Sequence, residues 1–141
     1  MKDWKYLKYW IVWSVASLLL ITSCEEDQVE SLDHLEQVGI LGQWKLDNRS
    51  VNGIANLAVE SCDSLHFDAD SEPTDWKGMF RASGNGYART GDFELDTLNR
   101  TIAFSYEDVL KWYSIQLTHN SIRFNYLENQ DQIEEYWIKL E

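Results

Sequence analysis

The chain has 141 residues, of which 24 are acidic and 12 basic, and its formal net charge at pH 7 is −12. This acidic balance argues against binding to nucleic acid and against electrostatic docking on anionic lipid, because both depend on Lys and Arg side chains that neutralise phosphates. The length suits one small domain.

Residues 1–23 have the pattern of a secretion signal. Three lysines within the first eight residues precede a twelve-residue apolar run, 10–21, which is too short to span a bilayer as a helix of roughly 20 residues. The run ends in Ile21-Thr22-Ser23-Cys24, which resembles the lipobox of bacterial lipoproteins. The resemblance implies cleavage before Cys24 and lipidation of that cysteine; an ordinary secretory signal is the alternative.

Cleavage would remove three lysines and one aspartate and leave 9 basic and 23 acidic residues, a net charge of −14. Residues 24–39 are then an acidic linker. The run Glu25-Glu26-Asp27 resembles the surface-export signal of Bacteroidetes lipoproteins. We therefore expect an outer membrane-anchored protein that faces the periplasm or the cell surface. Apolar residues at every third position, ended by Gly39, favour a short helix in this linker, and a flexible tether is the alternative.

From Gly42 onward, apolar and aromatic residues alternate with polar ones in short runs. This period of two predicts β-strands with one buried face. Seven turn sequences, beginning with Asn52-Gly53, separate the runs and therefore predict eight strands. Because short turns join consecutive strands, we expect an all-β fold over residues 40–141: an eight-stranded antiparallel up-and-down barrel, which leaves no exposed edge. A sandwich also fits one buried face per strand, but the simple order of connections favours the barrel.

Leu41-Gly42-Gln43-Trp44 opens the first strand and resembles the Gly-x-Trp signature of lipocalins. Residues 62–67 resemble the second strand of the same group. The order of signal, lipobox, acidic linker and barrel resembles the lipocalin-like lipoproteins of Bacteroidetes. The resemblance implies that Trp44 lies across the closed end of the barrel under a basic side chain, for which Arg123 is the candidate. It also implies a non-enzymatic domain, without a cofactor, that binds a small apolar molecule.

Alternation places a group of bulky side chains on the inner faces of successive strands. The candidate ligand-binding residues are Trp44, Phe67, Phe93, Phe104, Tyr113, Phe124 and Tyr126, with Ile115 beside them. These rings line a cavity or fill the barrel by themselves, and a cavity of several hundred Å³ would favour a ligand. The negative surface disfavours an anionic ligand unless Arg89 or Arg123 lies near the mouth.

The alternative function is a surface module that binds a protein or a glycan through its outer face. Trp112 has the opposite parity to Tyr113 and Ile115, so we expect its ring on the outside, where it is available for stacking. The histidines at 34, 66 and 119 have no triad or metal-ligand spacing. The acidic loop that starts at Asp68 lacks the glycine and glutamate of a calcium loop. We therefore expect neither a catalytic site nor a bound metal. We also expect the protein to be a monomer.

Overall fold

The computed structural model describes residues 33–55 and 62–141. The predicted signal, the lipidation at Cys24 and most of the linker lie outside these residues. Helix α1 spans His34–Val38. No helix in the described ranges is long and apolar enough to cross a bilayer. The strands are β1 Gly42–Val51, β2 Ile54–Ala55, β3 Ser64–Ala69, β4 Lys77–Gly84, β5 Tyr87–Asp96, β6 Thr101–Tyr106, β7 Val109–Leu117, β8 Ser121–Glu128 and β9 Asp131–Lys139.

The strands form one closed antiparallel sheet. From β3 to β9 each strand pairs with the next in sequence, and β1 closes the ring by pairing with both β3 and β9. The two-residue strand β2 extends the ring beside the end of β1. The predicted eight-stranded up-and-down barrel is therefore confirmed, because β1 and β3–β9 make a complete circuit without a free edge.

Tight turns fix the register of the hairpins. Asn52 and Gly53 both have positive φ between β1 and β2, and Asn129 and Gln130 have positive φ between β8 and β9. Two consecutive residues in this conformation give the turn whose twist matches that of the flanking strands. The turn sequences therefore determine at which residues the chain reverses direction, which the alternation of apolar residues by itself does not.

One end of the barrel is closed by α1 and Trp44. Gly39, with a φ of 78°, ends α1, and the chain then enters the barrel at Ile40, which is fully buried like Leu35 and Trp44. The Trp44 Nε1 donates a 2.8 Å hydrogen bond to the Ile40 carbonyl. This end is thus sealed by a large ring whose polar atom is satisfied.

The basic side chain over Trp44 is Lys139 rather than Arg123. The Lys139 Nζ lies 5.2 Å from the Trp44 ring centroid and donates to the Gly39 carbonyl at 2.8 Å. Arg123 alternates with the buried Ile122 and Phe124, so it points outward, where its guanidinium lies 6.0 Å from the ring centroid of Tyr136. The expectation for Arg123 was therefore wrong, because β8 turns that side chain away from the interior.

Phenylalanine rings fill the middle of the barrel. The Phe67 and Phe93 rings meet edge to face at 4.8 Å between centroids, and Phe104 lies 6.0 Å from Phe67. Gly78 faces this cluster, and a Cβ there would come within 2.7 Å of the Phe93 ring. Because Gly78 has no side chain, it leaves room for the ring of Phe93. The phenylalanine rings therefore fill the barrel interior above Trp44.

Candidate functional site

A register shift in β1 changes which of its side chains point into the barrel at the end away from Trp44. Leu46 is opposite Trp137, but the next pair along is Asn48 with Tyr136, so the register skips Asp47. Such an extra residue reverses the alternation beyond it. Arg49 consequently stands directly opposite the inward-facing Glu135.

Glu135 is the acceptor of a hydrogen-bonded cluster inside the barrel. The hydroxyl of Tyr126 donates to Glu135 Oε1 at 2.9 Å, and Trp137 Nε1 donates to Oε2 at 3.1 Å. The Arg49 Nε lies 3.7 Å from Oε1, and the Arg49 Nη2 reaches the Tyr126 hydroxyl at 3.4 Å. The side chain of Glu135 is 15% exposed, so these partners offset the loss of its hydration.

The environment of this cluster keeps the Tyr126 hydroxyl protonated. Burial raises the pKa of Tyr126, and the negative charge of Glu135 raises it further, while Arg49 acts in the opposite sense. A neutral hydroxyl can donate to the carboxylate, whereas a phenolate could not. The Glu135 carboxylate and the Tyr126 hydroxyl are therefore bonded to each other, whereas the buried Arg49 Nε makes no hydrogen bond in the described part of the chain.

A cavity of about 120 Å³ opens above the phenylalanine cluster, at the end of the barrel opposite Trp44. Its floor is the rings of Phe80, Phe104 and Phe124. The remaining lining residues are Leu65, Ala82, Tyr87, Arg89, Tyr106, Tyr113, Tyr126, Glu135 and Trp137. An apolar floor beneath a partly polar rim is the usual composition of a small-molecule site.

The wall facing Glu135 carries a cation between two aromatic rings. The Arg89 guanidinium carbon lies 5.3 Å from the ring centroid of Tyr87 and 5.2 Å from that of Tyr106.

Burial raises the pKa of Tyr113 to about 12, with smaller contributions from Tyr106 and Glu135. Burial, followed by the charges of Asp63 and Glu135, also raises the pKa of Tyr87. These tyrosines are therefore neutral donors at ordinary pH.

The predicted ligand-binding residues divide into two groups. Phe104, Tyr113, Phe124 and Tyr126 line the cavity. Trp44, Phe67 and Phe93 are buried beneath it in the packed core, so they support the cavity without lining it.

A larger concavity of about 590 Å³ lies at the closed end, beside Val38 and the turn after β5, and Ile115 belongs to its lining. Half of its eight lining residues are polar or charged and none is aromatic. The aromatic cavity at the open end is therefore the stronger candidate for an apolar group.

Besides Arg49, eight residues that line the cavity were not among the predicted ligand-binding residues: Leu65, Phe80, Ala82, Tyr87, Arg89, Tyr106, Glu135 and Trp137. Arg89 had been named only as a residue that would allow an anionic ligand if it lay near the mouth, and it does line the cavity. The alternation Tyr87-x-Arg89-x-Gly91-x-Phe93 runs along β5, so extending the parity of Phe93 backwards would have found Tyr87 and Arg89. Phe80 could have been found in the same way on β4. No local pattern reveals Arg49, because the skipped residue reverses its face.

The outer face carries exposed apolar groups and one polar cluster. Trp112 is 57% exposed, as alternation predicts. The His66 Nε2 and the Arg81 Nη2 contact the two carboxylate oxygens of Asp68 at 2.7 and 2.9 Å. Desolvation raises the pKa of Asp68, but hydrogen bonds from His66 and Arg81 outweigh it and leave that pKa lowered. Within residues 33–55 and 62–141, no three His, Cys, Asp or Glu side chains gather as a metal site would require.

Comparison with protein-family models, curated proteins and solved structures finds no significant match to this chain. The resemblance to lipocalin-like lipoproteins therefore stays a prediction from the sequence, whereas the barrel rests on the strand pairings themselves.

Proposed function

We propose that this protein is a membrane-anchored, lipocalin-like lipoprotein that binds, without chemical conversion, the apolar end of a small molecule in the open end of its barrel. The observation that carries the proposal is the cavity of about 120 Å³ floored by Phe80, Phe104 and Phe124. A small apolar group that contacts the three aromatic rings at the base of this cavity removes apolar surface from water, which favours binding.

The volume limits what can enter. Sites for drug-sized ligands usually enclose about 300–1,000 Å³, whereas an engineered cavity of about 150 Å³ holds benzene. The cavity of about 120 Å³ is smaller than the several hundred Å³ expected for a site that encloses a whole ligand. It suits one ring or a short chain, and the rest of a longer ligand would extend through the mouth. Rigid packing below the cavity, around Phe67 and Phe93, opposes deeper entry.

The anchoring part of the proposal depends on the lipobox-like Ile21-Thr22-Ser23-Cys24. A cysteine that carries several acyl chains would hold the domain stably at a membrane, whereas one chain gives marginal binding. The acidic residues after Cys24 favour the outer membrane, with the barrel facing the periplasm or the cell surface. We expect the barrel to work as a monomer.

The test is a titration of the purified full chain with benzyl alcohol, a neutral probe of about the size of the cavity. Saturable changes in the aromatic-ring NMR signals of Phe104, Tyr113 and Phe124 are expected. Ala82 lines the cavity, so Ala82→Phe should fill it and abolish the binding. The neighbouring-strand residue Ala88 is exposed on the outer face, so Ala88→Phe is the matched control and should bind like wild type.

Two results would refute the proposal. One is the absence of saturable binding to the wild type. The other is equal binding by wild type and by an Ala82→Phe variant that is folded by circular dichroism. Ala82→Leu, a smaller addition, serves if the phenylalanine variant does not fold.

A second candidate function is favoured by the outer face. Leu110 is 60% exposed, Trp112 57% and Leu127 72%. An exposed tryptophan can stack on a sugar ring or contact a protein. Binding of a glycan or protein that Trp112→Ala abolishes and Ala82→Phe leaves unchanged would favour this function over ligand binding in the barrel.

A further inference from the structure

The polar groups at the mouth of the barrel are unevenly partnered. Among the described residues, Arg49 lies 3.5 Å from Glu128, and Lys111 lies 3.6 Å from the same carboxylate. Arg49 also approaches Glu135. Arg89 forms no ion pair or hydrogen bond with any described residue and is held by the rings of Tyr87 and Tyr106. In the part of the chain that the structure describes, its guanidinium is thus a cation at the mouth that no carboxylate contacts.

The hydroxyl groups around Arg89 are available as well. In the described part of the chain, no hydrogen bond engages the hydroxyls of Tyr87, Tyr106 or Tyr113, although all three residues line the cavity with Arg89. The hydroxyl of Tyr126 on the facing wall is already bonded to Glu135. Within residues 33–55 and 62–141, one wall of the cavity therefore presents a cation and hydroxyl groups that make no hydrogen bond, whereas the Glu135 carboxylate on the other wall already accepts two.

From this asymmetry we infer that the ligand carries a single carboxylate, which binds Arg89 at the mouth while an aromatic or short aliphatic group enters the cavity. This inference rests on the proposed function and specifies the ligand class for the same site. The five donors of a guanidinium form a planar fork that matches the two oxygens of a carboxylate. The flanking rings of Tyr87 and Tyr106 restrict that fork, which lowers the entropy lost on binding.

The surrounding charges favour a carboxylate over a phosphate group. Glu135 lines the same cavity, and Glu128 lies at the same rim, paired with Arg49 and Lys111. Asp63 is close enough to Tyr87 to raise the pKa of that tyrosine. A phosphomonoester brings a charge of about −1.5 to −2 at pH 7, and Arg89 by itself would leave part of it unneutralised. One negative charge is the amount that one unpaired arginine can balance.

The experiment compares benzoate with benzyl alcohol, which has the same ring but no charge, on the full chain at low salt. We expect benzoate to bind about tenfold more tightly, equivalent to about 1.4 kcal/mol. This preference should weaken with added salt, because Arg89 is exposed and its field is screened. Arg89→Met should remove the preference, so that the ratio of the affinities for benzoate and benzyl alcohol falls from about tenfold to about one.

Arg123→Met is the matched control. Arg123 is likewise exposed and lies over a tyrosine ring, but on the outside of the barrel. The substitution changes the net charge by the same amount, so the preference for benzoate should survive it. Loss of the preference in both variants would overturn the inference, because the effect would then be one of overall charge.

The remaining outcomes separate this inference from the proposed function. If benzyl alcohol binds saturably and benzoate binds equally or more weakly, the carboxylate inference falls and the proposed function stands. If phenyl phosphate binds more tightly than benzoate, the assignment to a carboxylate is overturned. If neither benzoate nor benzyl alcohol binds, both proposals fall.

Discussion

Arg49 and Glu135 face each other across β1 and β9 inside the barrel. The relationship exists because the register skips Asp47, which turns Arg49 from the outer face to the inner one. Glu135 then accepts hydrogen bonds from Tyr126 and Trp137 as well. One irregular position thereby places Arg49 beside the carboxylate of Glu135 at the open end of the barrel.

Glu135→Gln should destabilise the fold. An amide offers one acceptor oxygen to the donors that now share two, and it carries no charge to oppose Arg49. We expect a loss of about 1–3 kcal/mol in the free energy of unfolding, measured with urea. Glu134→Gln, on the outer face of the same strand, is the control and should change stability by less than about 0.5 kcal/mol. Equal losses in the two variants would contradict the role assigned to the cluster.

Trp44→Ala should cost about 3–5 kcal/mol, as truncations of buried tryptophan do. The ring is fully buried at the closed end and bonded to the Ile40 carbonyl, so its removal leaves both a void and an unpaired carbonyl. Denaturant unfolding measures the loss. Trp112→Ala removes a 57% exposed ring and should cost less than about 1 kcal/mol. A comparable loss at both positions would mean that Trp44 does not seal the barrel.

Alkaline pH should weaken the fold through Tyr113. Burial first, and then Tyr106 and Glu135, raise its pKa from 10.0 to about 12. Between these values the unfolded chain has lost a proton that the folded chain retains, so unfolding releases a proton and stability falls as pH rises. The urea midpoint should therefore decline from about pH 10 to pH 12. Tyr113→Phe should show a shallower decline, and an unchanged slope would argue against this origin.

Cys24→Ala should release the protein from the membrane fraction. The sequence predicts that Cys24 carries the lipid anchor, and without acyl chains an acidic domain has little attraction for anionic lipid. Fractionation of cells followed by detection of the protein measures the change. Cys62→Ala is the matched control, since Cys62 is the other cysteine of the chain, and it should stay with the membranes. Membrane retention of Cys24→Ala would exclude lipid anchoring at this residue.

The sequence by itself determined the strands, the turns and the faces of most side chains. Alternation put Phe104, Tyr113 and Phe124 inside and Trp112 outside, because the period of a strand is fixed by its backbone. The Asn52-Gly53 turn belongs to the same class, since its positive φ values depend on local residue chemistry.

Tertiary structure alone decided how the interior is used. Whether the inward-facing rings fill the barrel or leave a cavity depends on how the side-chain volumes from different strands fit together. Among the predicted phenylalanines, Phe67 and Phe93 are the two that are fully buried. The cover on Trp44 came from Lys139, which is distant in sequence. Arg49 entered the barrel because one residue was skipped in pairing with β9. The skipped residue appears only where β1 pairs with β9, from the far end of the chain, so the alternation within β1 did not reveal it.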